Sequence, residues 1–103
     1  MFTTVDEKKI KSDNPGIEVY VLESESAQIA VRIPTDAEWG SFLDEREKTG
    51  ARSLRNLVRT CLVAPSDSDF RALLNKKPGL SNVFGNQLLE LAGLNETASV
   101  KKA

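Results

Sequence analysis

Few residues in this 103-residue chain are of the types that do acid–base or covalent chemistry, and their spacing limits what they can do. There is no histidine, which removes the Ser-His and Cys-His nucleophile pairs, the commonest general base at neutral pH and every His-containing metal site. Cys61 is the single cysteine, so neither an internal disulfide nor a thiolate zinc cluster can form. It lies in an apolar stripe, Leu54, Leu57, Val58, Cys61 and Leu62, with Arg59 nearby. A thiol beside an arginine could be reactive. A small buried core residue is the expectation here, because free cysteine is among the residue types most often buried. Asp67 and Asp69 could form a carboxylate pair for acid–base work or magnesium, but they directly follow Pro65-Ser66. That position suits the first turn of a helix, where the dipole favours negative charge. The acidic run Asp44-Glu45-Arg46-Glu47-Lys48 is interrupted by bases and reads as a solvated helix face. The six glycines are scattered singly, so no phosphate-cradling loop is formed. The chain is therefore expected to be non-enzymatic, with no catalytic, cofactor-binding or metal-binding residue.

What remains is binding. Arg52, Arg55 and Arg59 are spaced i, i+3 and i+7 and form one helical stripe, about 120° around from the apolar face. They are the candidate partner-binding residues: a docking ridge for an acidic protein, or for a nucleic-acid backbone. The alternative is a solvated face paired with Asp44, Glu45 or Glu47. Fourteen basic against fifteen acidic residues give a net charge of −1, which argues against nucleic acid.

The elements that would carry these residues are legible from periodicity. Residues 1–16 are polar and mixed in charge, ending in the turn signal Asn14-Pro15-Gly16. They are expected to be a mobile arm, with a short extended piece around Phe2 to Val5. A β-hairpin is expected over 17–33: Ile17, Val19 and Val21 share one face of its first strand, and Ala27, Ile29, Val31 and Ile33 one face of its second. Glu23-Ser24-Glu25-Ser26 links them. After Pro34 the period changes, and Thr35-Asp36-Ala37-Glu38 fits a capping box. Amphipathic helices follow at about 36–48, 53–63, 67–75 and 80–92, separated by Gly50, by Pro65-Ser66 and by Pro78, and closed by Gly93. Gly40 and Gly85 fall inside helices, where they would allow a close helix–helix approach or leave a groove. Residues 94–103 are expected to be a flexible tail.

The sum is a single α+β domain over 17–93, mostly α: an N-terminal hairpin followed by three to four short helices. At 11.3 kDa, with 40% hydrophobic and 28% charged residues, the chain has the composition of one ordinary globular domain. No apolar run approaches the roughly 20 residues of a membrane span, and the first residues do not read as a secretion signal.

Two stretches carry a likeness. Val31-Arg32-Ile33-Pro34-Thr35-Asp36-Ala37-Glu38-Trp39 resembles the R-x-P-T-x-x-E-W segment of the small tail assembly chaperones of phages with long, non-contractile tails (lambda- and HK97-like). Residues 57–93 look like the same family's second half: Cys61-Leu62-Val63-Ala64-Pro65-Ser66, then Lys77-Pro78-Gly79-Leu80, then Leu88-Leu89-Glu90-Leu91-Ala92-Gly93. The resemblance covers roughly two-thirds of the chain. It implies a chaperone that binds the tape-measure protein in the infected cell's cytoplasm, helps recruit tail-tube subunits and is absent from the mature virion. It also implies a longer, frameshifted form carrying a tube-recruiting domain. Weak self-association is expected of a surface meant for a client. The rival readings are a small structural virion component, such as a head–tail connector or tube-associated protein, and a nucleic-acid-binding regulator.

Overall fold

The computed structural model describes residues 4–94, 96 and 98–103. The elements run α1 (Glu7–Asp13), β1 (Tyr20–Glu23), β2 (Gln28–Val31), α2 (Asp36–Thr49), α3 (Ala51–Cys61), β3 (Leu62–Ala64), α4 (Asp67–Lys76) and α5 (Leu80–Leu91). The fold is α+β and mostly α: a three-stranded antiparallel sheet in the order β1-β2-β3, packed with helices.

Four helical starts follow from local chemistry. Asp6, Thr35 and Ser66 each accept a hydrogen bond from the backbone N–H three residues on, and the expected capping box at Thr35 is complete, with Glu38 reaching back. Gly50, at φ 59°, ends α2 and opens α3 within one residue, a conformation that disfavours any side chain. These two helices pack as an antiparallel pair, α3 packs equally on α5, and the core lies between α3, α5 and the sheet. Ile29, Val31, Val58, Cys61, Phe70, Phe84 and Leu88 are fully enclosed there. Trp39 packs on Phe42 at 5.3 Å between ring centroids.

The structure departs from the sequence expectations in three places. The expected arm over 1–16 contains α1, anchored by buried Ile10, and the Val5 N–H donates to Gln28 Oε1 at 3.4 Å. Of the extended piece expected around Phe2 to Val5, Phe2 and Thr3 lie outside the described residues, and Thr4 and Val5 join no strand.

The helix expected to continue through Val63 stops at Cys61, and Leu62–Ala64 form β3 on the open side of β2. Ala64 precedes Pro65, which disfavours helical backbone, and the unpaired side of β2 supplies hydrogen bonds that an extra helical turn could not.

Finally, the first strand turns its other face inward. Leu22 is buried and Tyr20 half-buried against the core, whereas Val21 is 36% and Ile17 50% exposed. The turn decides this. Ser24 and Ala27 close it with an N–H···O bond of 2.9 Å, leaving only Glu25 and Ser26 between them. Leu22 then falls opposite Ile29 and Tyr20 opposite Val31, so the even residues of β1 share the face of the odd residues of β2. Ile33, expected on that core face, lies beyond the end of β2 and is 40% exposed.

Candidate functional site

The strongest polar cluster joins three elements. Arg32, just past β2, meets Glu38 in the first turn of α2 through two parallel bonds of 2.7 and 2.8 Å. The same guanidinium donates to the Thr60 carbonyl at 3.2 Å, and the Arg32 backbone N–H donates to the Cys61 carbonyl at 3.0 Å. Glu38 Oε1 also accepts from the Thr35 N–H at 2.9 Å. The Arg32 guanidinium, and then the backbone donor at Thr35, hold the Glu38 carboxyl down at about 2. Arg32, Thr35 and Glu38 thus do structural work, holding β2, α2 and the end of α3 together. Cys61 lies beside this cluster, fully enclosed, and burial pushes its thiol up to about 11. At neutral pH it is a protonated packing group, as its place in the apolar stripe suggested.

Arg52, Arg55 and Arg59 all lie on α3, and their surroundings differ. Arg59 is committed to Asp67 at the start of α4 by bonds of 2.8 and 3.0 Å, and Arg71 approaches the same carboxylate at 3.7 Å. Asp67 is thereby held below the usual carboxylate range, first by its bonds to Arg59. Arg52 and Arg55 are exposed, and neither forms an ion pair among the described residues. Glu45, weighed as their partner, instead accepts from Asn56 Nδ2. Asp67 and Asp69 occupy the first turn of α4 as expected.

The concave surface lies elsewhere, where the hairpin meets α5. One open hollow of about 620 Å3 is lined by Glu23, Ser24, Glu25, Ser26, Leu80 and Val83. A second of about 460 Å3 is lined by Val21, Leu22, Glu23, Gln87, Glu90 and Leu91. They share Glu23 and together form a trough along α5, apolar on its floor and acidic on its rim. Leu80 is nearly buried, while Val83 is 42% exposed. Lys77 reaches the hairpin tip through Nζ–Ser26 Oγ at 2.6 Å, and Gln87 Nε2 donates to the Glu23 carbonyl at 3.1 Å. Gln87 Oε1 is buried without a partner among the described residues.

Sequence reasoning missed this trough because Val21 and Val83 look like core residues in any periodic pattern. The one available signal was Gly85. Its missing Cβ lets α5 lie directly on Leu54 of α3, and the same helix carries Val83 and Gln87 to the hairpin.

Such a trough can bind a chain segment. Among the described residues, no three Asp, Glu or Cys side chains gather as a metal site would require. No helix among them is long and apolar enough to cross a membrane.

The chain was compared with known proteins. A family model described as a domain of unknown function matches residues 15–101. No curated protein matches the chain. An uncharacterised protein from Bacillus stearothermophilus has a similar structure, at a TM-score of 0.75 and 19% identity, over 93% of this chain and 100% of that one. At that identity the likeness is one of fold.

Proposed function

We propose that this chain, which belongs to the DUF6848 family, a domain of unknown function, is a non-enzymatic interaction module acting as a tail assembly chaperone for a long-tailed phage. Its client would be the tape-measure protein, whose long amphipathic helices need their apolar faces covered until the tail tube forms around them. The observation that supports this reading is the open, apolar-floored hollow at Leu80 and Val83, a surface of the kind that receives the apolar face of an amphipathic helix. The resemblance of the segment Arg32 to Trp39, and of residues 57–93, to tail assembly chaperones supports the choice of client. On this reading the protein works in the infected cell's cytoplasm, recruits tube subunits through a longer frameshifted form, and is absent from finished particles.

Co-expression with the tape-measure protein of the same genome tests the proposal. Soluble, co-purifying tape-measure protein is the expected result, and Val83→Asp should abolish it. Equal insolubility of the tape-measure protein with and without this chain would refute it. The rival, a structural virion component, predicts stoichiometric amounts of this chain in purified particles, which mass spectrometry measures directly.

A further inference from the structure

β1 is an edge strand, and its free side opens into the trough. Along an antiparallel ladder, residues alternate between bonding the neighbouring strand and pointing their N–H and C=O groups away from it. The Ser24–Ala27 closure puts Leu22 and Tyr20 in the first class, bonded to Ile29 and Val31. Val21 and Glu23 therefore direct their backbone groups off the sheet. The Glu23 carbonyl does so observably, since it accepts from Gln87 Nε2 on α5. Neither the Val21 nor the Glu23 N–H has a side-chain partner among the described residues. Opposite them, Gln87 Oε1 is a buried acceptor with nothing to accept. An exposed strand edge with free donors, floored by a helix and facing an unsatisfied amide, is the geometry that receives an added strand.

Charge selects the occupant. The edge and its floor carry Glu23, Glu25 and Glu90, and the nearby Lys77 is held by Ser26. A second copy of the same edge fits poorly. Antiparallel pairing of Val21 with Glu23 of the other copy would set the two Glu23 carboxylates diagonally across the strands on one face, and like charges there destabilise. We propose that the groove between the free edge of β1 and α5 takes an extended segment of another protein with alternating apolar and basic side chains, which pairs with Val21 and Glu23. Its apolar side chains, on the face that β1 turns inward with Leu22, cover Leu91, and its basic ones, on the outward face shared by Val21 and Glu23, meet Glu23 beside the acidic rim that Glu90 completes. Gln87 releases the Glu23 carbonyl and accepts from the incoming backbone. This inference does not rest on the chaperone reading, which concerns a helical client.

The test uses the full chain, isotope-labelled, titrated with a seven-residue peptide of alternating lysine and valine. Two controls accompany it: the glutamate–valine counterpart and the lysine–valine peptide N-methylated at alternate amides. The expected result is that the Val21 and Glu23 amide protons shift downfield and gain exchange protection with the basic peptide alone, and that Glu90→Lys weakens binding about fivefold or more. Equal binding of the N-methylated peptide would reduce the contact to surface charge and overturn the proposal. So would Val21 and Glu23 amides already protected in the free chain. If that protection grew with protein concentration, a second copy would be the occupant; if it vanished on truncation after Leu94, the chain's own tail would be. Failure of the basic peptide to move those two amides, with a tape-measure fragment still bound, would leave the chaperone reading standing and remove this one.

Discussion

Replacing Gly85 by alanine should destabilise the protein even though it removes a glycine from a helix interior. On propensity alone the change stabilises α5 by up to about 1 kcal/mol. The added Cβ, however, would run into Leu54 Cγ and stand 2.7 and 2.8 Å from its two methyl carbons. Leu54 is only half-buried at the core's margin, so its tip can swing outward, but the Cγ is nearest and moves only with the whole side chain. Overpacking of this kind costs about 1–3 kcal/mol. The net expectation is a loss of about 1 kcal/mol, which for a urea slope of about 1.5 kcal/mol per molar lowers the unfolding midpoint by roughly 0.7 M. The same substitution made in a Leu54→Ala background meets no obstacle, and the propensity gain should then raise the midpoint. A double-mutant cycle should thus give a coupling of about 1–2 kcal/mol between two residues adjacent in space and 31 apart in sequence. A rise in midpoint for Gly85→Ala in the native background, or an equal fall in both backgrounds, would refute the close α3–α5 approach.

Glu38 gives a pH signature. Its carboxyl is held from 4.5 down at about 2, so its stabilising contribution is complete above about pH 4.5 and is lost as pH falls toward 2. The ceiling is about 3 kcal/mol; with a quarter of the side chain exposed, about 1–2 kcal/mol is expected. Urea titrations of the native chain and Glu38→Gln should differ by that amount at pH 6 and converge near pH 2, and parallel curves would count against the ion pair's role. Cys61, enclosed and with its thiol pushed up to about 11, should resist a thiol-reactive dye at pH 8 until the chain is unfolded in urea; prompt labelling of the native chain would contradict its placement. Arg52→Ala with Arg55→Ala should leave stability within about 0.5 kcal/mol and should not alter client binding, since the two side chains are solvated and far in sequence from the trough. Loss of client solubilisation in that double variant would move the binding surface to α3.

Much of the fold was legible in the chain because its causes are local. Thr35 and Glu38 form a cap wherever a helix starts there, Pro65-Ser66 and Pro78-Gly79 break helices by backbone sterics, and residues 54, 57, 58 and 61 share one face through helical geometry alone. These sufficed for an α+β chain with a hairpin followed by three to four helices, and for Cys61 in the core.

Tertiary structure decided the rest. The period-two pattern of Ile17, Val19 and Val21 is as regular as that of a buried face, but a one-residue choice at the Glu25-Ser26 turn places Tyr20 and Leu22 inside instead. Leu62 and Val63 continue a helical pattern in sequence and leave it because an open strand of the sheet lies alongside. Arg59 carries an ion pair that its spacing did not announce, because α4 brings Asp67 to it. The trough needs α5 to meet β1 from 64 residues away, as the bond from Gln87 to Glu23 shows. Contacts across that distance depend on how several surfaces pack at once, and no spacing along a chain encodes them.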